Sequence, residues 1–372
     1  MKFLHRSEKL AGGCLGAVIA AALLTGQANA AGASADTPRN KNVVELETEG
    51  ASNISVRIAE EIANIVDDGA TRRVLPVVGR SAVQNFSDLA QLRGIDMAVL
   101  QTDLIDYLRQ QHRPATNLTY ITKLYNEEFH LLARPDIQSV GELAGETVNI
   151  DRPESGTAIT AARVFDLLQI APNLSNDTEQ VALEKLKKGD IAAVAFVAGK
   201  PAPLFDGIDN SHGLHLLSIP LNTKITSAYL PAQLTAADYP GLVRESQPVD
   251  TIAVGAILAV ANLQPLSERY RNVANFVDTF FTGFQSLLAA GHHPKWRDVN
   301  LAADVPGWKR FPAADQLLKR NAAVAKAPEP DNLKLIFERF IEERLLVAGK
   351  KMSQDQKDDL FNQFQRWQST QR

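Results

Sequence analysis

The chain has 372 residues, 45% of them hydrophobic, and a formal charge of −4 at pH 7. A mildly acidic balance argues against nucleic acid as a partner and against adsorption to anionic lipid. The length allows two domains with ample core, and one cysteine excludes a disulfide framework.

The first thirty residues read as an export signal. Lys2, Arg6 and Lys9 form a basic start, Leu10–Leu24 is an apolar run, and Ala28-Asn29-Ala30 fits the small-x-small rule for signal peptidase. Cleavage is expected after Ala30, giving a periplasmic product. The lone Cys14 lies inside the apolar run, which continues to Leu24, so lipidation is not expected. Loss of Lys2, Arg6, Lys9 and Glu8 takes the formal charge from −4 to −6.

Residues 31–42 read as a flexible leader. Val43–Thr48 is a predicted strand, followed by a turn and an amphipathic helix through Ile54, Ile58, Ile62, Ile65 and Val66. Arg73–Val78 is a second strand, Ser81–Leu92 a helix capped by Ser81, Asp96–Leu100 a third strand and Asp103–Arg109 a helix. Leu118–Leu124 and Phe129–Ala133 are further strands. Such alternation predicts a parallel sheet with helices on both faces. Ligands of these sheets sit at the carboxyl ends of strands, here the polar turns Glu49–Ser55, Gly79–Asn85 and Gln101–Asp103. A second set follows Arg134-Pro135-Asp136: a short helix at Ser139–Leu143, a strand at Thr147–Ile150, a helix at Val181–Lys187, and strands at Ile191–Val197 and Leu214–Ser218. Thr251–Ala261 reads as a buried strand and Leu266–Leu288 as a long helix. Chain crossings near Ala133–Pro135 and Thr251–Gly255 predict two lobes joined by a two-strand hinge. Lobe I takes residues 43–133 and 254–320, and lobe II takes 134–253.

Val148–Leu168 carries the sharpest local signal. A strand breaks over Ser155-Gly156-Thr157 straight into a helix, leaving unpaired N–H donors at the positive end of the helix dipole. Two readings stay open for this tip: an anion site, or a helix simply capped by Ser155 or Thr157.

Several segments then fall in a recognisable order: Gln101-Thr102-Asp103, Leu124-Tyr125-Asn126-Glu127, Phe129–Arg134, Val140–Gly145, the Ser-Gly-Thr loop, Gly189–Ala193 and Gly199-x-Pro201. In this order the chain resembles the TAXI family of TRAP-transporter solute-binding proteins over about Val43 to Arg310. The resemblance implies an α/β, two-lobed periplasmic binding protein type II-like fold, no cofactor, and capture of a small organic anion for a TRAP-type membrane permease. The ligand class it implies is an acidic amino acid or dicarboxylate. It also implies ligand-facing positions at Ser52, Asn53, Ser55, Asn85, Gln101, Asp103, Tyr125, Ser155, Gly156 and Thr157, with Phe196 and Gly199 on the far side. The chain departs from the family in its first turn, Thr48–Ile54, which lacks the usual glycine-rich, tyrosine-containing pattern and puts Glu49 beside the cleft.

Residues 321–372 form a linker and a helical extension. An apolar stripe runs from Leu333 to Leu345, and Ser353-Gln354-Asp355-Gln356 reads as a capping box before Leu360, Phe361, Phe364 and Trp367. This extension packs on a lobe, or docks a permease or another envelope protein through 333–367. A receptor-shaped interaction or sensor protein with degraded ligand binding is therefore the second reading of function.

Other constellations are weak. His212-x-x-His215 and His292-His293 lack cysteine or HExxH support for a metal site. Glu127-Glu128 and Asp67-Asp68 read as solvated surface, because adjacent side chains point apart. Ser155 lacks the G-x-S-x-G setting of a nucleophile, and no catalytic set converges, so no enzyme is expected.

Overall fold

The computed structural model describes residues 42–50, 54–69, 71–113, 118–208 and 213–326, with side chains to 322, and Ser353, 356–358 and Phe361 farther on. The export signal, the leader up to Lys41, Ser52, Asn53, His212, the Leu333–Leu345 stripe, Leu360, Phe364 and Trp367 lie outside the described residues. No helix among the described residues is long and apolar enough to cross a membrane.

The elements run β1 (Val43–Thr48), α1 (Ile54–Val66), β2 (Arg73–Val78), α2 (Ala82–Gln91), β3 (Met97–Gln101), α3 (Leu104–Gln110) and β4 (Thr119–Ala133). Then come β5 (Thr147–Asn149), α4 (Gly156–Leu168), β6 (Asn173–Ser175), α5 (Glu179–Lys188), β7 (Ala193–Ala198), β8 (His215–Leu216), α6 (Thr223–Ala228) and β9 (Leu230–Leu234). The described chain closes with β10 (Val249–Val260), α7 (Glu268–Gly283), β11 (Lys309–Arg310) and α8 (Pro312–Lys326). Helix starts follow the sequence: Ser81, Ser155, Asn222 and Ser267 each accept a backbone N–H three residues on. The tail's capping box also forms, Ser353 N donating to Gln356 Oε1 at 3.0 Å and Gln356 N to Ser353 Oγ at 3.4 Å.

The sheet order is β2-β1-β3-β10-β4-β7-β5-β6, with β8 and β11 on β4 and β9 on β10. β1 lies parallel to β2 and β3, and β5 parallel to β6 and β7. The expected parallel sheet is thus found only within each lobe; β10 runs antiparallel to β3, β4 and β9, and β4 antiparallel to β7. The two strands expected at 118–124 and 129–133 are one 15-residue strand. Polar residues 125–128 break the hydrophobic pattern there, yet Asn126, Glu127 and Glu128 still pair with Gly255, Val254 and Ala253. A long-range partner supplies what the local pattern lacks.

Each lobe carries helices on both faces of its sheet. In lobe I, α1 and α7 cover one face around Ile58, Ile62, Phe276, Phe280 and Trp296, and α2 and α3 cover the other around Phe86, Leu89, Leu104 and Leu108. In lobe II, α4 and α6 pack on Phe129, Leu131 and Val254, and α5 packs on Leu132, Val194 and Phe196. β4 and β10 contribute to cores in both lobes and change lobe around Glu127 and Val254. The architecture is an α/β, two-lobed, periplasmic-binding-protein-like fold with helices following the second lobe.

One buried carboxylate ties lobe I together. Glu61 on α1 accepts from Trp296 Nε1 at 2.5 Å, from His293 N at 3.1 Å and from Arg57 Nε at 2.9 Å. These donors hold its carboxyl below the usual range despite burial. Glu61→Ala leaves the Trp296 and His293 donors unmatched in the interior, and is expected to cost about 3 kcal/mol. Urea unfolding should show it as a lower midpoint with an unchanged slope.

Candidate functional site

The seam between the lobes is lined by strand ends. The turn after β1, the end of β3 and the middle of β4 face the start of α4 and the end of β7. Ser55, buried in the first turn of α1, donates to Glu49 O at 3.1 Å. Asn85 on α2 is fully buried and donates from Nδ2 to Thr48 O at 3.1 Å. Gly79 makes this possible, since a Cβ there would stand 2.0 Å from Asn85 Oδ1.

The helix tip is already engaged. Glu49 Oε1 reaches across from lobe I and accepts the Gly156 N–H at 2.7 Å. Ser155 Oγ accepts from Ala158 N at 3.1 Å, so it caps its own helix, and Thr157 Oγ1 accepts from Val197 N at 3.0 Å. The cap reading of Ser155 is the one the structure adopts. The expectation of a tip left bare between the lobes does not hold: a side chain of this chain covers it. The space beside Glu49, Asp151, Arg152, Thr157 and Phe196 is a cavity of about 10 Å³, roughly one water.

The seam is also strongly acidic. Gln101 Nε2 donates to Glu127 Oε2 at 2.6 Å, and its own Oε1 has no partner among the described residues. Glu128 pairs with buried Lys295 at 2.5 Å and accepts from Lys200 N at 2.9 Å. The expectation of a solvated Glu127-Glu128 pair is corrected: the side chains do diverge, but both are buried at 3% and 4% exposure. Pairing of β4 with β10 and β7 places both in the interior, each with a specific partner. Asp67 and Asp68, by contrast, are exposed. The Tyr125 hydroxyl is buried with no hydrogen-bond partner among the described residues. Burial, then Glu127, Glu49 and Glu128, push its pKa well above the usual value.

Further along α4 the lobes are clamped again. Asp103 Oδ2 accepts from Thr160 Oγ1 at 2.8 Å and from Tyr229 OH at 3.0 Å, both in lobe II. Arg163 meets Asp106 at 3.4 Å, and Arg113 meets Glu154 at 2.8 Å. Ile159 of α4 packs into the lobe I cluster beside Leu104 and Ile257. Gly199 lies against α1, where a Cβ would stand 2.3 Å from Ile54 Cδ1. Phe196 sits within 6.0 Å of Phe205 in an aromatic cluster around neutral His130, whose burial lowers its pKa to about 3.

Thus the structure gathers Gln101, Tyr125, Gly156 and Thr157 at the seam, puts Asp103 on a neighbouring clamp, and leaves Ser55, Asn85 and Ser155 supporting local turns. Sequence reading missed Asp151, Arg152, Tyr229 and Lys295, whose roles depend on what the other lobe brings to them. Asp151 sits at φ 63°, a left-handed position in the Asp-Arg-Pro turn.

The two lobes meet along a polar seam, with strand ends on one side and a helix start on the other. A model of the NMT1-like family matches residues 54–273, more than half of the sequence, and the chain belongs to that family. Among solved structures, it is similar to the GluR0 ligand-binding core from Nostoc punctiforme in complex with L-glutamate. That match has 15% identity, covers 68% of this chain and 99% of the other, and has a TM-score of 0.41. A TctC solute-binding protein from Polaromonas matches at 16% identity over 66% and 88% of the chains, with a TM-score of 0.38. The periplasmic aliphatic sulphonate binding protein of Escherichia coli matches at 12% identity over 75% and 78%, with a TM-score of 0.39. Scores of this size transfer neither ligand nor role.

A carboxyl buried between the lobes predicts that their closure depends on pH. Burial raises the Glu49 carboxyl from 4.5 to about 8; the Gly156 N–H opposes this, Glu127 and Asp151 add to it, and Arg152 opposes it. With the lobes apart, Glu49 returns to an ordinary carboxyl. The closed form then binds the extra proton between pH 4.5 and about 8, so closure is fully favoured below that window and weakens as pH rises through about 8. Asp103, also raised by burial, acts in the same direction. The radius of gyration from small-angle scattering should increase above pH 8 in the native chain. Glu49→Gln keeps the acceptor for Gly156 and removes the titration, so the step should shrink or vanish.

Proposed function

We propose that this protein is an exported receptor that captures a small organic anion between its lobes and presents it to a membrane permease. The observation that supports this most directly is the Glu49–Gly156 contact: the first turn of α4 holds a carboxyl group delivered from the opposite lobe. A helix start suits such a group, because its N–H donors and dipole converge there. Glu49 then stands in the place of a ligand carboxylate. A dicarboxylate or acidic amino acid would displace it as the lobes part, and Glu49 would ionise in water. Gln101, Tyr125 and Thr157 line the same seam and offer further polar contacts. The order of motifs resembling TAXI proteins supports a TRAP-type permease as the recipient, and residues 1–30 support the periplasm as the compartment.

A second reading is favoured by the same contact. If Glu49 closes the seam permanently, the molecule acts as a receptor-shaped interaction protein, with the 333–367 extension as its docking element.

Calorimetric titration with dicarboxylates and acidic amino acids separates the two. Glu49→Ala clears the helix tip and raises the fraction of competent molecules, so ligand affinity should rise about tenfold. Absence of binding to both native chain and Glu49→Ala, across the panel, overturns the receptor reading.

A further inference from the structure

The sheet ends on β2, whose only strand neighbour among the described residues is β1. A terminal strand presents unpaired backbone groups to anything that can extend the sheet. Val74, Leu75, Val77 and Val78 are residues that favour strands, and Leu75 and Val78 are 44% and 54% exposed. A six-residue edge that is apolar and open is a template for another strand unless something blocks it. The opposite edge, β6, is three residues long and offers little length to pair with.

Hydrogen bonding fixes which groups of β2 face the open side. Arg73 N donates to Asn42 O at 3.3 Å and Gly79 N to Thr48 O at 2.8 Å, so the odd-numbered positions bond to β1. Backbone groups alternate along a strand, and Val74, Pro76 and Val78 therefore turn theirs outward. Two of these positions have no donor to give. Val74 N already donates to Asp67 Oδ1 at 2.5 Å, and Pro76 has no N–H. Val78 keeps an outward N–H with no acceptor among the described residues.

Asp67 is held in position from both sides. Its own N–H donates to Ala63 O at 2.8 Å, continuing the last turn of α1. Asp68 then closes the turn that follows, with Oδ1 accepting from Thr71 N at 2.7 Å and from Arg72 N at 2.9 Å. The adjacent carboxylates thus have different tasks: Asp68 shapes the turn, and Asp67 occupies the strand edge.

We propose that Asp67 and Pro76 close the free edge of β2, and so keep a second copy of this chain from adding its own β2 to the sheet. The edge lies three strands from the lobe crossing on β10, and the proposal rests on neither reading of function.

The test is sedimentation equilibrium with amide hydrogen exchange on the full chain. In the native protein the Val74 amide should exchange about tenfold or more slowly than the Val78 amide. Asp67→Asn keeps the acceptor oxygen and should keep that order, whereas Asp67→Ala should abolish it. The double variant Asp67→Ala/Pro76→Val should self-associate about tenfold or more tightly than the native chain, with its Val78 amide becoming protected. A Val78 amide already protected in the native protein overturns the proposal, because the edge is then covered. Native mass at every concentration in a folded double variant also overturns it, as does association that leaves Val78 unprotected. Should the double variant lack a native thermal transition, Pro76→Val alone decides by the same two readouts.

Discussion

The pairing of β4 with β10 is the constraint on which the rest of the molecule depends. These two strands are the longest in the sheet, and they run antiparallel through both lobes. Their registers bring Asn126, Glu127 and Glu128 opposite Gly255, Val254 and Ala253 where the chain changes lobe. The register is irregular just beyond, between Gly255 and Ile257. Such an irregularity bends a strand and twists it locally. The polar and acidic seam is therefore built on the crossing itself.

Charge is handled in the same economical way on β1. Glu45, Glu47 and Glu49 occupy alternate positions on one side of the strand, away from Val44 and Leu46 in the α1–α7 core. Burial raises Glu45 to about 7, with Asp96 adding to it, and raises Glu47 to about 7, with Asp88 adding to it. Their folded-state values lie above the ordinary 4.5, so the stability they contribute is complete below that pH and is lost as pH rises through about 7. Glu49 continues the row into the seam at about 8. A strand that would be an ordinary central element thus places carboxyl groups that favour the proton on the approach to the helix tip.

The lobe contacts also explain why a motif and its use differ here. Ser155-Gly156-Thr157 has the features of an anion site: a strand, a glycine without a side chain, and a helix start. The glycine also serves a packing need, because Gln101 Oε1 would stand 2.3 Å from a Cβ at Gly156. The first donor goes to Glu49, a residue that stands where the resembling family has a glycine-rich turn. The helix-start physics is common to a ligand carboxylate and a protein carboxylate; the neighbouring lobe decides which one it meets.

Hydrophobic period, capping residues and turn chemistry are local, and they determined the strand–helix units over 43–110 and 147–198 to within a few residues, except the short strand Asn173–Ser175, which they did not mark. They also marked the break at Ser155 and the capping box at Ser353. The continuous β4 was not legible, because Tyr125–Glu128 lacks a strand's local pattern and is extended by its partners. Likewise, the burial of Glu127 and Glu128, the covering of the α4 tip by Glu49, and the meeting of Asp103 with Thr160 and Tyr229 join residues far apart in the chain. Side-chain type and spacing determine what each segment forms. Which charges share a low-dielectric space is decided only when two lobes, built from separate stretches, close on each other.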